Sequence, residues 1–217
     1  MSDAATRLAE VREQIARAAK AARRDPKQVT LVAVTKQRGV EEILPLIAAG
    51  VTDFGENRVQ EAAEKWPPLR EQHPRLRLHM IGRLQSNKAD EAVALFDVIH
   101  SLDRPSLLEA LVKAGDKAGQ FPQVYVQVNI GAEEQKGGMA IDELPAFLDQ
   151  VRASPLPLAG LMAMPPLGAQ PGPYFALLAE LARRHGVAGL SMGMSSDYPA
   201  AVMLGTTVVR VGSALFD

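Results

Sequence analysis

Apolar positions recur at two spacings along this chain, and the two spacings alternate. Leu8, Val11, Ile15, Ala18 and Ala22 fall three and four residues apart, which lines one face of a helix from about Asp3 to Arg24. Asp25-Pro26 stops it, because proline cannot continue the helical hydrogen-bond ladder. The next segment, VTLVAVT at 29–35, is a continuous apolar run rich in β-branched residues, the pattern of a parallel strand buried on both faces.

The alternation then continues to the end of the chain. Helix patterns are predicted over 40–49, through Val59, Ala62, Ala63 and Trp66, over 86–96, and from Pro105 onward. Further helices fall at 141–153, 174–184 and, briefly, 197–204. Pro45 lies inside the first of these and argues against its continuity. Strands are predicted at 51–54, 76–81, 97–100, 123–130, 157–162, 189–193 and 207–212. Eight strands with helices between them argue for one closed (β/α)8 TIM barrel across residues 1–217. An open doubly wound sheet is the rival, although it usually has fewer strands and exposes two edges. No helix is expected after the last strand, so the N-terminal helix is expected to complete the outer ring.

Composition narrows the function classes. The 217 residues are 47% hydrophobic and 23% charged, which excludes a disordered or fibrous chain. The formal net charge of −1 lacks the basic excess of a duplex-binding protein. There is no cysteine, hence no disulfide, thiolate metal site, iron–sulfur cluster or cysteine nucleophile. The four histidines show no metal-ligand spacing, and neither GxGxxG nor a Walker A sequence is present. No apolar leader and no apolar run of membrane-spanning length is visible, so a soluble cytoplasmic protein is expected.

In a barrel, chemistry gathers at strand C-terminal ends. Lys36 ends the first long strand and is either a solvated loop lysine or an amine that condenses with an aldehyde. Asn57, in FGENRVQE, is either a ligand hydrogen-bonding group or a helix cap. His79 reads as a buried, hydrogen-bonded imidazole rather than a base, while Gln85 and Asn87 either orient a ligand or cap a helix. Glu133, Lys136 and Gly138 form a polar loop in which an ordinary Glu–Lys pair is the plain reading. Met162 and Met164 either cover a flat ligand or pack the core. The anion signal is strongest at the last two strands. There LSMGMSSD supplies Ser195 and Ser196, and VRVGSALFD supplies Arg210, Gly212 and Ser213. Caps, a tight turn and a structural Arg–carboxylate pair are the alternative there.

The ordered motifs LVAVTK, FGENRVQE, HxIGxLQxNK, QVNI…EEQKGG, GLMAMPP, LSMGMSSD and VRVGSALF, from about 29 to 216, resemble the pyridoxal-phosphate homeostasis protein family. That family is related to the barrel domain of alanine racemase. The resemblance implies pyridoxal 5'-phosphate (PLP) held as a reversible aldimine on Lys36, with Arg210 facing the pyridine nitrogen. It implies phosphate contacts from Ser195, Ser196, Gly212 and Ser213, Asn57 near the cofactor, and Met162 packed near the ring. It implies a monomeric cytoplasmic carrier, without established catalysis, that buffers PLP or delivers it transiently to apo-enzymes, and no nucleic acid or membrane partner. The alternative is an amino-acid racemase, which needs acid/base groups on both faces of the substrate carbon. Two departures from the family pattern stand out. Asp217 replaces a frequent glycine, and the short LGAQPGP stretch at 167–173 is expected to expose the mouth.

Overall fold

The computed structural model describes residues 3–133, 135 and 137–217. Eight parallel strands close on themselves in sequence order. They are β1 (Thr30–Val34), β2 (Asp53–Glu56), β3 (Arg77–Met80), β4 (Val98–Leu102), β5 (Gln123–Gln127), β6 (Leu158–Met162), β7 (Gly189–Ser191) and β8 (Val208–Val211). Closure is made by β1 against β8, in register from Thr30 opposite Val208 to Ala33 opposite Val211. An open sheet would leave those two strands as edges, so the rival architecture is excluded.

The helices follow the expected alternation: α1 (Asp3–Ala21), α2 (Val40–Ala48), α3 (Val59–Gln72), α4 (Ala89–Leu95), α5 (Pro105–Ala118), α6 (Leu144–Ala153), α7 (Pro171–Arg184) and α8 (Tyr198–Met203). One expectation is corrected, because a four-residue turn of helix, α9 (Ser213–Phe216), does follow β8. It packs with α8 and α2 against α1, which takes its place in the outer ring as expected. Boundaries differ for local reasons. Arg23 at φ 55 ends α1 early. α7 begins at Pro171, since a first-turn proline lacks only a donor that the helix leaves unpaired. Beyond β5, Val128 continues only as an isolated bridge to Met139.

Pro45 does not interrupt α2, nor do Pro67 and Pro68 interrupt α3. The carbonyls that lose a donor belong to Glu41, Ala63 and Glu64, all exposed residues whose backbone water can reach.

Side chains alternate between two cores. The larger lies between strands and helices and includes Ala33, Phe54, Trp66 and Phe147. Trp66 is fully buried and packs on Phe54 with ring centroids 5.0 Å apart, so truncating it to alanine costs about 3–5 kcal/mol. The smaller core fills the barrel interior with Val32, Val98, Tyr125, Met162 and Val208. Gly160 and Gly189 make room for Tyr125. A Cβ on Gly160 would lie 2.6 Å from the tyrosine ring and 2.3 Å from the Gly189 carbonyl oxygen. Among the described residues no helix is long and apolar enough to cross a membrane.

Candidate functional site

The strand C-terminal ends surround a cavity of about 780 Å³. Seven residues expected from sequence line it: Lys36, Asn57, Ser195, Ser196, Arg210, Gly212 and Ser213. Met162 does not; it is fully buried in the barrel interior. Met164, two residues further along, lines the cavity instead. Met162 is the last residue of β6 and Met164 lies on the loop that follows it, nearer the mouth.

Lys36 sits on the turn after β1, exposed, and makes no hydrogen bond or ion pair among the described residues. That turn is clamped from below. Lys65 of α3 donates to the Thr35 carbonyl at 2.9 Å and the Arg38 carbonyl at 3.2 Å. Lys65 also pairs with Glu56 Oε1 at 2.8 Å. The same oxygen accepts from Thr35 Oγ1 at 2.6 Å and Trp66 Nε1 at 3.0 Å. Glu56 is fully buried at the end of β2, and its Oε2 has no partner. Sequence reasoning missed both Glu56 and Lys65. Neither carried a distinguishing signal, since β2 holds two carboxylates, Asp53 and Glu56, and Lys65 lies among the polar residues of α3.

At the opposite wall, Arg210 is buried, and the structural Arg–carboxylate alternative does not hold. Its Nη1 donates to the Ser191 carbonyl at 2.9 Å and to Ser191 Oγ, and its Nη2 to the Ala163 carbonyl at 3.4 Å. Burial lowers its pKa to about 10, with the Asp197 charge acting in the opposite direction, so it remains a cation at neutral pH. Beside it, Ser195 Oγ accepts from the backbone N–H of Gly212 at 3.0 Å and of Ala214 at 3.4 Å. With both bonds accepted, the hydroxyl proton is left to donate outward. A Cβ on Gly212 would touch only Val34, at 3.4 Å or more, so packing does not require glycine there. Its effect is to keep a cavity wall open.

Asn57 is not a helix cap, since the residue at the N-cap of α3 is Arg58, without a side-chain cap bond. Its backbone instead lies against Gly82, where a Cβ would come 2.2 Å from the Asn57 carbonyl oxygen. Gln85 and Asn87 line a neighbouring groove of about 720 Å³ rather than the mouth itself. The expected Glu133–Lys136 pair falls on Lys136, which is outside the described residues. The chain terminus does pack. Arg38 pairs with Asp217, bonds Glu42 at 3.0 Å and lies 4.9 Å above the Phe216 ring centroid.

His79 is buried and hydrogen-bonded, as its sequence context suggested. Its Nε2 lies 3.0 Å from Asp53 Oδ1 and its Nδ1 lies 2.9 Å from His100 Nε2. Burial raises the Asp53 carboxyl, but hydrogen bonds from His79 and Thr52, with the charges of His79 (when protonated) and Arg77, outweigh it and leave the pKa lowered.

An amine, a buried guanidinium and a hydroxyl–amide cradle around one barrel mouth define a barrel of the alanine racemase N-terminal type. The family model for "Alanine racemase, N-terminal domain" matches residues 6–217. Within that class, the chain belongs to the pyridoxal phosphate homeostasis protein family. It is 42% identical over 212 residues to the pyridoxal phosphate homeostasis protein of Deinococcus radiodurans, covering 96% of this chain and 97% of that one. It is 40% identical over 223 residues to the protein of that name from Pseudomonas aeruginosa, covering 100% and 96%. The solved structure of PipY from Synechococcus elongatus with PLP bound superposes with a TM-score of 0.86 at 38% identity, covering 99% of this chain and 100% of that one. An alanine racemase of Clostridium difficile, at 14% identity and a TM-score of 0.74, shares the fold; this chain covers 56% of it.

Proposed function

We propose that residues 1–217 form one PLP-binding barrel domain that holds the cofactor reversibly on Lys36 and buffers or delivers it without turning over a substrate. The observation that carries this reading is the placement of the unpaired Lys36 amine across one cavity from the Ser195–Gly212 cradle. PLP supplies an aldehyde for a lysine amine, a phosphate dianion and a pyridine ring. The residues fit all three features. Lys36 Nζ would hold bound PLP through its aldehyde, in a linkage that would form with loss of water and reverse by hydrolysis. Ser195 donates its hydroxyl proton to the phosphate, joined by the Ser213 amide and the Ser196 hydroxyl. Gly212 keeps the backbone approachable, and Asn57 supplies a polar edge on the Lys36 side.

Arg210 favours a carrier over a catalyst. A guanidinium has five donors and no acceptor, so it cannot take up a proton from the ring nitrogen and disfavours a protonated pyridine. That weakens the electron sink on which PLP catalysis depends. Nor do two of the tyrosines offer a second acid/base group at the mouth. Tyr125 is stacked on His100 inside the barrel, and the Tyr198 hydroxyl donates to Gln14 at 2.8 Å. We place this carrier in the cytoplasm as a monomer that meets PLP-dependent apo-enzymes transiently. Titrating the purified protein with PLP and following transfer to an apo-enzyme tests the reading. Release and uptake without consumption of amino acid support it, and failure to bind PLP rejects it.

A further inference from the structure

Five buried or largely buried polar groups form one line through the barrel interior. Asp53 on β2 meets His79 on β3 at 3.0 Å, and His79 meets His100 on β4 at 2.9 Å. His100 Nδ1 then reaches Ser191 Oγ at 2.8 Å on β7, across the interior rather than along the sheet. Ser191 Oγ accepts from Arg210 on β8. Asp53 lines a separate cavity of about 380 Å³ with Thr30 and Thr52, at the N-terminal ends of the strands. Arg210 lines the cavity at their C-terminal ends. The line therefore joins the two ends of the barrel.

The two termini of this line fix the position of every proton in it. A guanidinium can only donate and a carboxylate can only accept. Ser191 Oγ accepts from Arg210, so its own proton goes to His100 Nδ1. His100 is then protonated on Nε2, which donates to His79 Nδ1. His79 is in turn protonated on Nε2, which donates to Asp53. We propose that Asp53, His79, His100 and Ser191 act as a positioning chain, with both histidines neutral and protonated on Nε2, that fixes the orientation of Arg210 at the cofactor mouth.

The surroundings support neutral rings. Tyr125 stacks on His100 with centroids 4.5 Å apart and planes 9° apart, and excludes water from it. The charged groups facing the chain are Asp53, Arg77 at 3.9 Å from that carboxylate, Arg210, and Asp197, whose charge acts on Arg210. Burial, followed by the positive charges of His79 (when protonated), Arg210 and Arg77, pushes His100 well below the usual histidine range. Two competing arrangements also satisfy the Asp53 contact, an imidazolium at His79 or one at His100. His100 would then donate from Nδ1 to Ser191, whose own proton would have no acceptor in the chain. Unsatisfied buried donors are costly.

The role of Arg210 toward the cofactor rests on the function proposed above, but the proton arrangement does not. The test is long-range 1H–15N correlation on the full-length, 15N-labelled protein, with and without PLP. Both histidines are expected to show Nε2–H with an unprotonated, hydrogen-bonded Nδ1, unchanged from about pH 8 to about pH 6. Asp53→Leu removes the terminal acceptor and is expected to shift the His79 and His100 tautomers and the Arg210 Nε–H resonance together. Asp53→Asn keeps an acceptor oxygen and is expected to restore the wild-type pattern. An Nδ1–H tautomer or an imidazolium at either histidine in the wild type overturns the proposal. So does an Arg210 resonance that ignores Asp53→Leu. If Asp53→Leu does not fold, the wild-type tautomers still decide. Tautomers as expected in a protein that fails to bind PLP would reject the carrier reading alone.

Discussion

Ser195 Oγ lies 3.0 Å from the Gly212 amide, and this bond ties the loop after β7 to the end of β8. The hydroxyl accepts from the backbone on one side and keeps its proton for the cavity. Ser195→Ala should therefore weaken PLP more than pyridoxal, because only PLP carries the phosphate. Loss of one hydrogen bond to a charged group should cost about 1.5–3 kcal/mol in calorimetric titration. Equal weakening of both ligands would remove Ser195 from the phosphate site.

Glu56 and Lys65 are expected to hold the Lys36 turn in place rather than to touch the cofactor. Glu56→Ala leaves the largely buried Lys65 ammonium with only Glu61, at 3.3 Å, and takes the acceptor from Thr35 and Trp66, which should cost about 1–3 kcal/mol in urea denaturation. A cost below about 1 kcal/mol would mean that solvent reaches this pair and that the clamp is not structural.

Buried His100 sets the acid limb of stability. His100 has a folded-state pKa well below 6.5, so the unfolded chain binds the proton more tightly. Stability is therefore fully present above about pH 6.5 and declines as pH falls below it. Asp53, also lowered, adds a loss only below about pH 3.8, in a separate window. Urea midpoints measured against pH should show the first decline in the wild type and a shallower one in His100→Gln. Identical slopes in the two proteins would contradict a neutral His100.

Loaded with PLP, the protein should exchange cofactor yet leave the α-proton of L- and D-alanine without multiple-turnover racemisation in D₂O, followed by NMR. The reason is the donor-only guanidinium of Arg210. Lys36-dependent formation of the opposite enantiomer would establish a racemase instead.

The fold was legible in sequence because strand-length segments alternate with helical periodicity along the whole chain, the clearest of them being the β-branched runs of β1, β4, β5 and β8. VTLVAVT and TVVRVG, the first and last strands, are the ones that close the barrel. The short α9 was not legible, since four residues carry no period. At the site, Lys36 and Arg210 sit at strand ends and could be named from the motifs that carry them. The supports behind them could not. His100 and Ser191 lie 91 positions apart and meet only because the barrel closes. Glu56 and Lys65 come from a strand and the following helix, and read as ordinary polar residues until their burial is known. Met162 ends β6 and Met164 lies on the loop just beyond it, so depth in the barrel separates the core residue from the cavity wall.

Covalent attachment of the cofactor at Lys36 is the central claim, and borohydride reduction of the PLP-loaded protein followed by peptide mass spectrometry tests it most directly. The account predicts a pyridoxyl adduct on the peptide carrying Lys36, absent from a folded Lys36→Ala protein that can still hold PLP through Arg210 and the Ser195 cradle. A pyridoxyl adduct confined to another lysine, or an undiminished adduct in Lys36→Ala, would contradict it.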